Sequence, residues 1–458
     1  MPLALMASVP PATAAAVQPP GGAPALTLAQ AVEDALKNYP SIRVSEEQVN
    51  AAAAGIQLAR TAYLPRIDTL ALVNRATRNN VFGLLLPQNV IPSMSGPVIG
   101  SDNLGTVWGS GVGALVSWEP FDFGLREANV AAASAARKQS EAGARRTQFE
   151  VAVAAADAYL TLIAAQETVR AAQAGVDRAE VVLRTTNALV NSQLRPGADA
   201  SRADAELAAA RTQLIQAGQA AEVARATVSQ FVGLDPPRIS VSASGLLQLP
   251  PERTVAPFDA AGNPFALEQS AVIERTRAQL RALERSYFPR FYLQGAAYAR
   301  GSGAELNGTR LGGLNGLAPN FQNYALGFSV TFPVMDFESL HAREAAQSAD
   351  IRAQVARAEQ ISVDLRAQWN RAVASLEGSR RVAANTPVQV AAARTATEQA
   401  TARYQAGLGT IDQVAEAQRL LTQAEIDDAL ARLAVWRSLL GIAAAAGDIQ
   451  PFVAEATR

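Results

Sequence analysis

Side chains that commonly perform bond chemistry are scarce in this sequence. Cysteine is absent and histidine occurs once, at His341, which excludes disulfides, thiolate metal sites and Cys/His nucleophiles. The glycine run GSGVG at 109–113 only superficially matches a phosphate-binding loop, because it lies in a strand-like alternating pattern. Paired carboxylates in an acid/base setting and clusters of metal ligands are also missing. We therefore predict a protein that is not an enzyme and uses no cofactor and no metal.

Composition excludes a further class of function. With 40 basic and 41 acidic residues among 458, the chain is nearly neutral and offers no strongly basic surface, so we expect no nucleic-acid partner. The start is apolar and then small, and Ala12–Ala14 suits a secretory cleavage site, although a disordered tail is the alternative. Elsewhere we expect no transmembrane helix, because no apolar run is long enough. Any membrane insertion would use strands.

Two short motifs indicate that the sequence is internally repeated. YLPR at 63–66 recurs as YFPR at 287–290, and WEPFDFG at 118–124 recurs as FPVMDFE at 332–338. Further segments align in the same order: 191–207 with 405–421, and 230–234 with 438–442. The interval from Asp122 to Gln193 has the same length as the interval from Asp336 to Gly407. We infer an internal duplication in which both halves have the same number of residues between these two landmarks.

These two intervals have the composition of long helices, being rich in Ala, Gln, Arg and Glu. At about 1.5 Å per residue, most of each span forms a rod about 100 Å long. Apolar residues recur at steps of three and four, which is typical of a coiled-coil seam. In the first half the seam is Val169, Ala172, Val176, Ala179, Leu183, Thr186 and Val190. The abundance of alanine favours closely packed helices in a curved wall, and an ordinary long helical hairpin is the alternative.

Between the helices the pattern changes to period two, which predicts β-strands. One face is apolar with aromatic ends and the other is small or polar, as in strands that separate lipid from water. The residues predicted to face lipid are Trp108, Val112, Val116, Trp118, Tyr324, Leu326, Phe328, Val330 and Phe332. Because helices end at or before a proline, the predicted helix–strand transitions are Pro65, Pro120, Pro289 and Pro333.

Each half therefore supplies one strand pair, or four strands per chain. A soluble sandwich is the simpler alternative, but four strands cannot cover both faces and the small-residue face has nothing to pack against it. In a bilayer an open four-stranded sheet leaves its edges unpaired, so it must close by association. Three copies would form a twelve-stranded barrel.

The residues after about Leu26 resemble the TolC-family outer-membrane efflux proteins, also called outer membrane factors. The resemblance rests on LTLAQAVEDALKNYPSIRV at 26–44 with its ALKNYP element, on the proline at the strand entrance and on the double repeat. It implies an α+β membrane protein: a homotrimer whose twelve-stranded transmembrane β-barrel continues into a long α-helical periplasmic barrel.

The resemblance also sets the expected domain organisation. The expected segments are a signal-like or disordered start at 1–25, a first repeat at 26–234, a linker at 235–264, a second repeat at 265–447 and a tail at 448–458. Within the repeats we expect strands at about 64–75, 106–121, 289–300 and 324–336, and hairpin tips near 193–199 and 405–413.

The implied function is an exit duct in the outer membrane of a Gram-negative bacterium. It would conduct small molecules from a periplasmic adaptor protein and an inner-membrane RND or ABC transporter. Two alternatives remain at this stage: the same duct serving type I protein secretion, and a soluble coiled-coil scaffold.

By the same resemblance the hairpin tips carry the functional residues. The expected adaptor-docking residues are Gln193, Leu194, Gly407, Leu408, Gly409 and Thr410, and the expected periplasmic gate is Asp199, Arg202, Tyr404, Asp412 and Glu416. Gln193 stands where the family has glycine, which puts the equivalence of the two tips in doubt. The alternatives are that the glycines only permit a sharp turn and that the gate residues are solvated polar faces.

Overall fold

A computed structural model describes residues 25–77, 105–243, 245–252, 257–305, 309–332 and 334–457. The expected signal segment and Pro333 lie outside these residues. The described chain divides into two compact units. The helical unit consists of the described parts of Met1–Arg43, Thr147–Asn263 and Val363–Arg458, and the sheet unit of those of Val44–Arg146 and Pro264–Ser362.

The described residues form helices and strands in the repeated order that the motifs predict. The helices are α1 Leu28–Asn38, α2 Pro40–Thr61, α3 Leu125–Asn191, α4 Gly197–Val232, α5 Pro264–Arg285, α6 Phe337–Gln405, α7 Ile411–Ala446 and α8 Gln450–Ala456, with a short 3₁₀ helix at Pro236–Arg238. The strands are β1 Arg66–Thr77, β2 Thr106–Phe121, β3 Arg290–Ser302 and β4 Phe321–Thr331.

The first helical segment forms two helices, α1 and α2. It is broken at Tyr39, whose backbone is extended (φ −70°, ψ 125°). The following Pro40 explains the break, because a proline disfavours helical dihedrals in the residue before it and cannot donate a helical hydrogen bond. A Thr27 capping box fixes the start of α1.

Helices α3 and α6 are 67 and 69 residues long. Along α3 the predicted seam lies on the inner side, since Ala172, Val176, Ala179 and Thr186 are buried. Helix α6 contains Pro387 in the interior of its C-terminal half. A proline there removes the backbone hydrogen bond to the carbonyl four residues earlier.

The sheet is antiparallel with strand order β1-β2-β3-β4. Val116 pairs with Ile67 of β1 and Gly295 of β3, and Leu293 pairs with Phe328 of β4. Strand β4 ends at Thr331, before the expected end at 336, because a turn follows in which the Val334 amide donates to the Phe332 carbonyl (2.9 Å) and α6 begins at Phe337. Strands β1 and β4 form the edges of this sheet.

Tyr159 of α3 is fully buried in the core of the helical unit. Its hydroxyl oxygen lies 2.8 Å from the carbonyl oxygens of both Leu26 and Ser242, which share its single proton, and these two segments also pair through Leu26 and Val241. Burial raises the pKa of Tyr159 to about 12. The expected C-terminal tail includes α8, whose Phe452 is buried against Trp436.

Candidate functional site

The two faces of the sheet differ in character. Because residues paired across neighbouring strands share a face, the register gathers eight of the nine predicted lipid-facing residues on one side. The ninth, Phe332, lies beyond the end of β4 and is exposed. This face is strongly exposed: Tyr324 and Leu326 have 84% and 82% of their surface accessible. Also exposed on it are Ile67, Val73, Val112, Val116, Trp118, Leu293, Phe328 and Val330, whereas Trp108 is partly buried. An apolar patch of this size marks an interaction surface, not a protein exterior in water.

The opposite face is smaller and more polar. It carries Asp68, Asn74, Ser117, Gln294, Asn323 and Ser329 together with glycines of β2 and β4. Gly113 is required by its neighbour, because a Cβ there would lie 2.4 Å from the Cβ of Tyr298. Leu70, Leu72 and Leu115 also lie on this face, so it is mixed and not uniformly polar.

A buried ion pair fixes the passage from β2 to α3. Arg126 Nε lies 2.9 Å from Asp122 Oδ2, and each side chain is 9% exposed. Burial alone would raise the pKa of Asp122, but hydrogen bonds and charge from Arg126 hold it below its usual value. The turn uses left-handed backbone at Phe123 and Gly124 (φ 50° and 86°).

The same junction ties the adjacent end of the sheet to the end of α2. Trp118 Nε1 donates to the Tyr63 carbonyl (3.2 Å), and the Arg126 guanidinium lies 4.8 Å from the centre of the Tyr63 ring. Aromatic side chains that keep a polar partner are typical of a membrane interface.

The described prolines lie close to the helix–strand transitions. Pro65 directly precedes β1, and Pro289 directly precedes β3. Pro120 instead lies within β2, one residue before its end, where the pairing with β3 shifts between Trp118 and Phe121.

The two hairpin tips share one backbone pattern. Tip 1 is residues 192–196 between α3 and α4, and tip 2 is residues 406–410 between α6 and α7. In tip 1 the Leu194 amide donates to the Leu189 carbonyl, and in tip 2 the Leu408 amide donates to the Arg403 carbonyl (2.9 Å each). Both turns place one residue in the left-handed region: Gln193 with φ 59° and Gly407 with φ 80°.

The predicted gate residues Tyr404 and Asp199 lie together. Tyr404 is 2% exposed and packs with Ala203, Ile411 and Val414. Its hydroxyl donates to Asp199 Oδ2 (3.0 Å). Burial raises the pKa of Tyr404, the hydrogen bond to Asp199 and the Asp199 charge add to the rise, and the Arg195 charge opposes it.

Sequence reasoning missed Arg195, which joins the two tips. Its Nη2 donates to the carbonyls of Tyr404 (2.5 Å) and Gly409 (3.1 Å), and its guanidinium lies 4.4 Å from the centre of the Tyr404 ring. The local sequence carries no signal for this role, because Asp199 follows four residues later at the spacing of an ordinary helical ion pair.

The other predicted gate residues belong to one chain of ion pairs, in which Glu206 of α4 lies 3.1 Å from Arg202 and 3.8 Å from Arg419. Arg202 Nε lies 3.1 Å from Asp412 Oδ1, so these two also link α4 to α7. Glu416 does not join the group around Tyr404: it is exposed and pairs with Arg419 (2.9 Å) one turn along its own helix. The spacing of i and i+3 on an exposed helix face explains this local pairing.

The predicted docking residues occupy the exposed ends of the tips. Leu194 and Leu408 stand at equivalent positions and are 69% and 72% exposed. Thr410 has a further local role, because it forms a capping box with Gln413 at the start of α7.

Within the described ranges no group of three or more His, Cys, Asp or Glu residues is placed to hold a metal ion. By length and composition alone, α3 and α7 each contain a stretch of 18 residues apolar enough to cross a membrane, of which 50% and 39% is buried. This differs from the expectation of no such helix. The cause is alanine, which makes a helix apolar without an unbroken run of large side chains, and core helices pass the same test.

Comparison with known proteins identifies the class of the chain. The family described as "Outer membrane efflux protein" matches residues 31–234 and 260–448. The chain therefore belongs to this family, whose members are outer-membrane channels, and its location is the outer membrane with a periplasmic extension.

Individual relatives agree with that class. "Pyoverdine export outer membrane protein OpmQ" of Pseudomonas aeruginosa is 25% identical over 429 residues, 93% of this chain and 85% of that protein. Among solved structures, the outer-membrane channel OprN is 21% identical with a TM-score of 0.70, covering 92% of this chain and 89% of that one. The CmeC outer membrane channel of Campylobacter jejuni is 16% identical with a TM-score of 0.70, covering 92% and 85%. These structures show the fold.

Proposed function

We propose that the protein is the outer-membrane exit duct of a tripartite efflux system. Three copies form one twelve-stranded barrel, and their helices continue it as a periplasmic barrel. The observation that carries this proposal is a four-stranded sheet with one exposed apolar face, one mixed polar face and two edges.

The edges explain why the chain needs other copies. Among the described residues, strands β1 and β4 each pair on one side only, and a membrane cannot tolerate unpaired backbone groups at a sheet edge. Four strands are too few to close on themselves, since small barrels have about eight. If β4 of one copy pairs with β1 of the next, three copies supply twelve strands and leave no edge.

The helical unit offers matching surfaces for association. Exposed aliphatic side chains lie along α4 at Ile215 and Val223, and along α6 at Val363, Val382 and Val388. Within one chain α3 and α7 are already joined, because Arg178 pairs with Glu425 (2.9 Å). The exposed sides of α4 and α6 are therefore proposed to meet in neighbouring copies.

As a duct the protein would perform no bond chemistry, and the driving force would come from an inner-membrane RND or ABC transporter through a periplasmic adaptor. The tips at Leu194 and Leu408 would meet the adaptor. OpmQ is named for pyoverdine export, which supports a small-molecule cargo. No described feature favours a protein cargo. The exposed apolar face of the sheet counts against a soluble scaffold.

Substitutions at two adjacent residues of β4 test the proposal. Leu326→Arg places a charge on the proposed lipid face, where it costs about 2–4 kcal/mol near the bilayer midplane. It should strongly reduce insertion into liposomes. The matched variant Ala325→Arg lies on the opposite face and should insert normally but lower the single-channel conductance.

Mass measurement in detergent gives the second readout, with a trimer expected for the unchanged chain. The proposal would be overturned by a monomer that stays dissolved without detergent, or by equal insertion of the two arginine variants.

A further inference from the structure

The loop between β3 and β4 folds back onto the sheet. The Gly303 amide donates to the Trp108 carbonyl of β2 (2.8 Å), and the Leu311 amide donates to the Gly303 carbonyl (2.9 Å). Ala304 and Arg310 form an isolated bridge. Residues 309–318 are thereby held against the ends of β2 and β3 that lie farthest from Pro65 and Pro289.

Glycine contacts show which face the loop covers. Gly301 pairs with Ser110, so both share a face with Val112 and Val116. A Cβ on Gly301 would lie 2.2 Å from the Ala318 carbonyl oxygen and 2.6 Å from Ser110 Oγ. The loop therefore lies on the exposed apolar face and not over the mixed polar face.

Strand geometry gives the level of the loop relative to the proposed membrane. Trp108 and Trp118 lie on the same face of β2, near its two ends. At about 3.3 Å per residue and a tilt of about 40°, the strand between them covers about 25 Å, the height of the apolar band of outer-membrane barrels. Trp108 thus marks one interface, and the loop lies at its level.

The loop presents side chains suited to an interface. Leu311 and Leu314 stand on either side of the Gly312–Gly313 turn, and both side chains are exposed, that of Leu314 by 74%. The turn itself does not require a large apolar residue at either position. Positive φ angles at Gly312, Gly313 and Gly316 hold this shape. The Arg75 guanidinium lies 5.3 Å from the centre of the Trp108 ring, so the end of the sheet to which the loop bonds carries an aromatic and a cationic group.

We propose that residues 309–318 form a lipid-contacting collar on the outside of the barrel, with Leu311 and Leu314 inserted at the boundary between headgroups and acyl chains of the outer leaflet. This inference rests on the proposed barrel, because the collar continues its lipid-facing surface. The collar leaves the mixed polar face, which would line the pore, uncovered. It instead broadens the lipid-facing outside of the barrel at the level of Trp108.

Site-directed spin labelling can test the collar with little background, since the sequence has no cysteine. Three single-cysteine variants, Leu314→Cys, Leu326→Cys and Asn323→Cys, are labelled and reconstituted into liposomes of bacterial outer-membrane lipid. Leu326 is the reference for lipid and Asn323 the reference for the opposite face. Collisions with oxygen report lipid, and collisions with a water-soluble nickel complex report water.

We expect the Leu314 label to collide with oxygen several-fold more than with nickel when compared with Asn323, at a depth shallower than Leu326. A Leu314 label that matches Asn323 while Leu326 reports lipid would overturn the collar and leave the barrel intact. If Leu326 also reports water, the barrel itself fails.

Discussion

Tip 1 and tip 2 reach the same backbone shape with different residues. Tip 2 is locally well built: Gly407 occupies the left-handed position without cost, and Thr410 caps α7. Tip 1 places Gln193 in that position and has Pro196 at its helix start with no side-chain cap. Yet tip 1 supplies Arg195 to tip 2, and the helix that follows tip 1 supplies Asp199 to Tyr404 at the end of α6. The difference teaches that tip 1 depends less on its own turn chemistry than on contacts with its neighbour.

Removing the Tyr404 side chain should have the largest effect. Tyr404→Ala deletes a buried ring, its bond to Asp199 and the surface on which Arg195 stacks, so we expect local destabilisation of tip 2 by about 3 kcal/mol. The control is Val190→Ala, at the equivalent place of tip 1, with an expected loss of about 1 kcal/mol. Hydrogen exchange of the Leu194 and Leu408 amides measures both, and equal losses would remove the asymmetry.

Arg195→Ala should come next. It removes two charged hydrogen bonds to carbonyls of tip 2 and the stack on Tyr404, with an expected cost of about 2 kcal/mol. Amide exchange should rise in tip 2 although the substitution is in tip 1. Arg403→Ala, which removes one exposed bond within tip 2, should cost less than about 0.5 kcal/mol. If exchange rises only in tip 1, the tips are not coupled through Arg195.

Tyr404→Phe isolates the hydroxyl and predicts a pH dependence. At pH 7 the variant should lose about 1 kcal/mol, one hydrogen bond to Asp199. Because the folded-state pKa of Tyr404 is raised above its usual 10.0, the stability it contributes is present below pH 10 and is lost as pH rises through the raised value. The gap between the two proteins should therefore shrink above pH 10. If the difference in stability between the two proteins stays constant above pH 10, the Tyr404 hydroxyl does not contribute to stability in this pH-dependent way.

The turn residues themselves should give the smallest effects, with opposite signs. Gln193→Gly relieves left-handed strain of about 1–2 kcal/mol but adds chain entropy, so a net gain below about 1 kcal/mol is expected. Gly407→Ala introduces the same strain and should lose about 1 kcal/mol. Thermal unfolding of each variant measures the change in stability. If both variants gain or both lose stability, left-handed strain does not decide the stability of the two turns in the same way.

Local patterns in the sequence predicted much of the fold. Period-two alternation placed Tyr324, Leu326 and Phe328 on one face, and that face is exposed in the structure. Seam residues such as Val176 are buried in α3. The break between α1 and α2 at Tyr39 follows from Pro40, a signal that is local in the sequence. These features depend on neighbours within a few residues, which is why sequence reasoning can reach them.

Contacts between distant segments could not be predicted in the same way. Arg195 meets Tyr404 209 residues away, and nothing local distinguishes it from a solvated arginine. Glu416 looked equivalent to the other gate residues in sequence, but the direction of its helix face turns it toward Arg419. The fold-back of the β3–β4 loop depends on close backbone approach at Gly301 and Gly316, which a glycine-rich sequence permits but does not specify.

Pro387 gives the long wall helices unequal stiffness. Helix α6 lacks one main-chain bond at this point, whereas α3 has Gln173 at the matching position, which follows Asp122 at the same interval as Pro387 follows Asp336. Bending α6 there costs less elastic energy than bending α3 at any interior residue. The second hairpin therefore contains a compliant joint on the tip side of the middle of α6. Because Arg195 and Arg202 tie this hairpin to the first one, bending at the joint would load those contacts before it moved the tip.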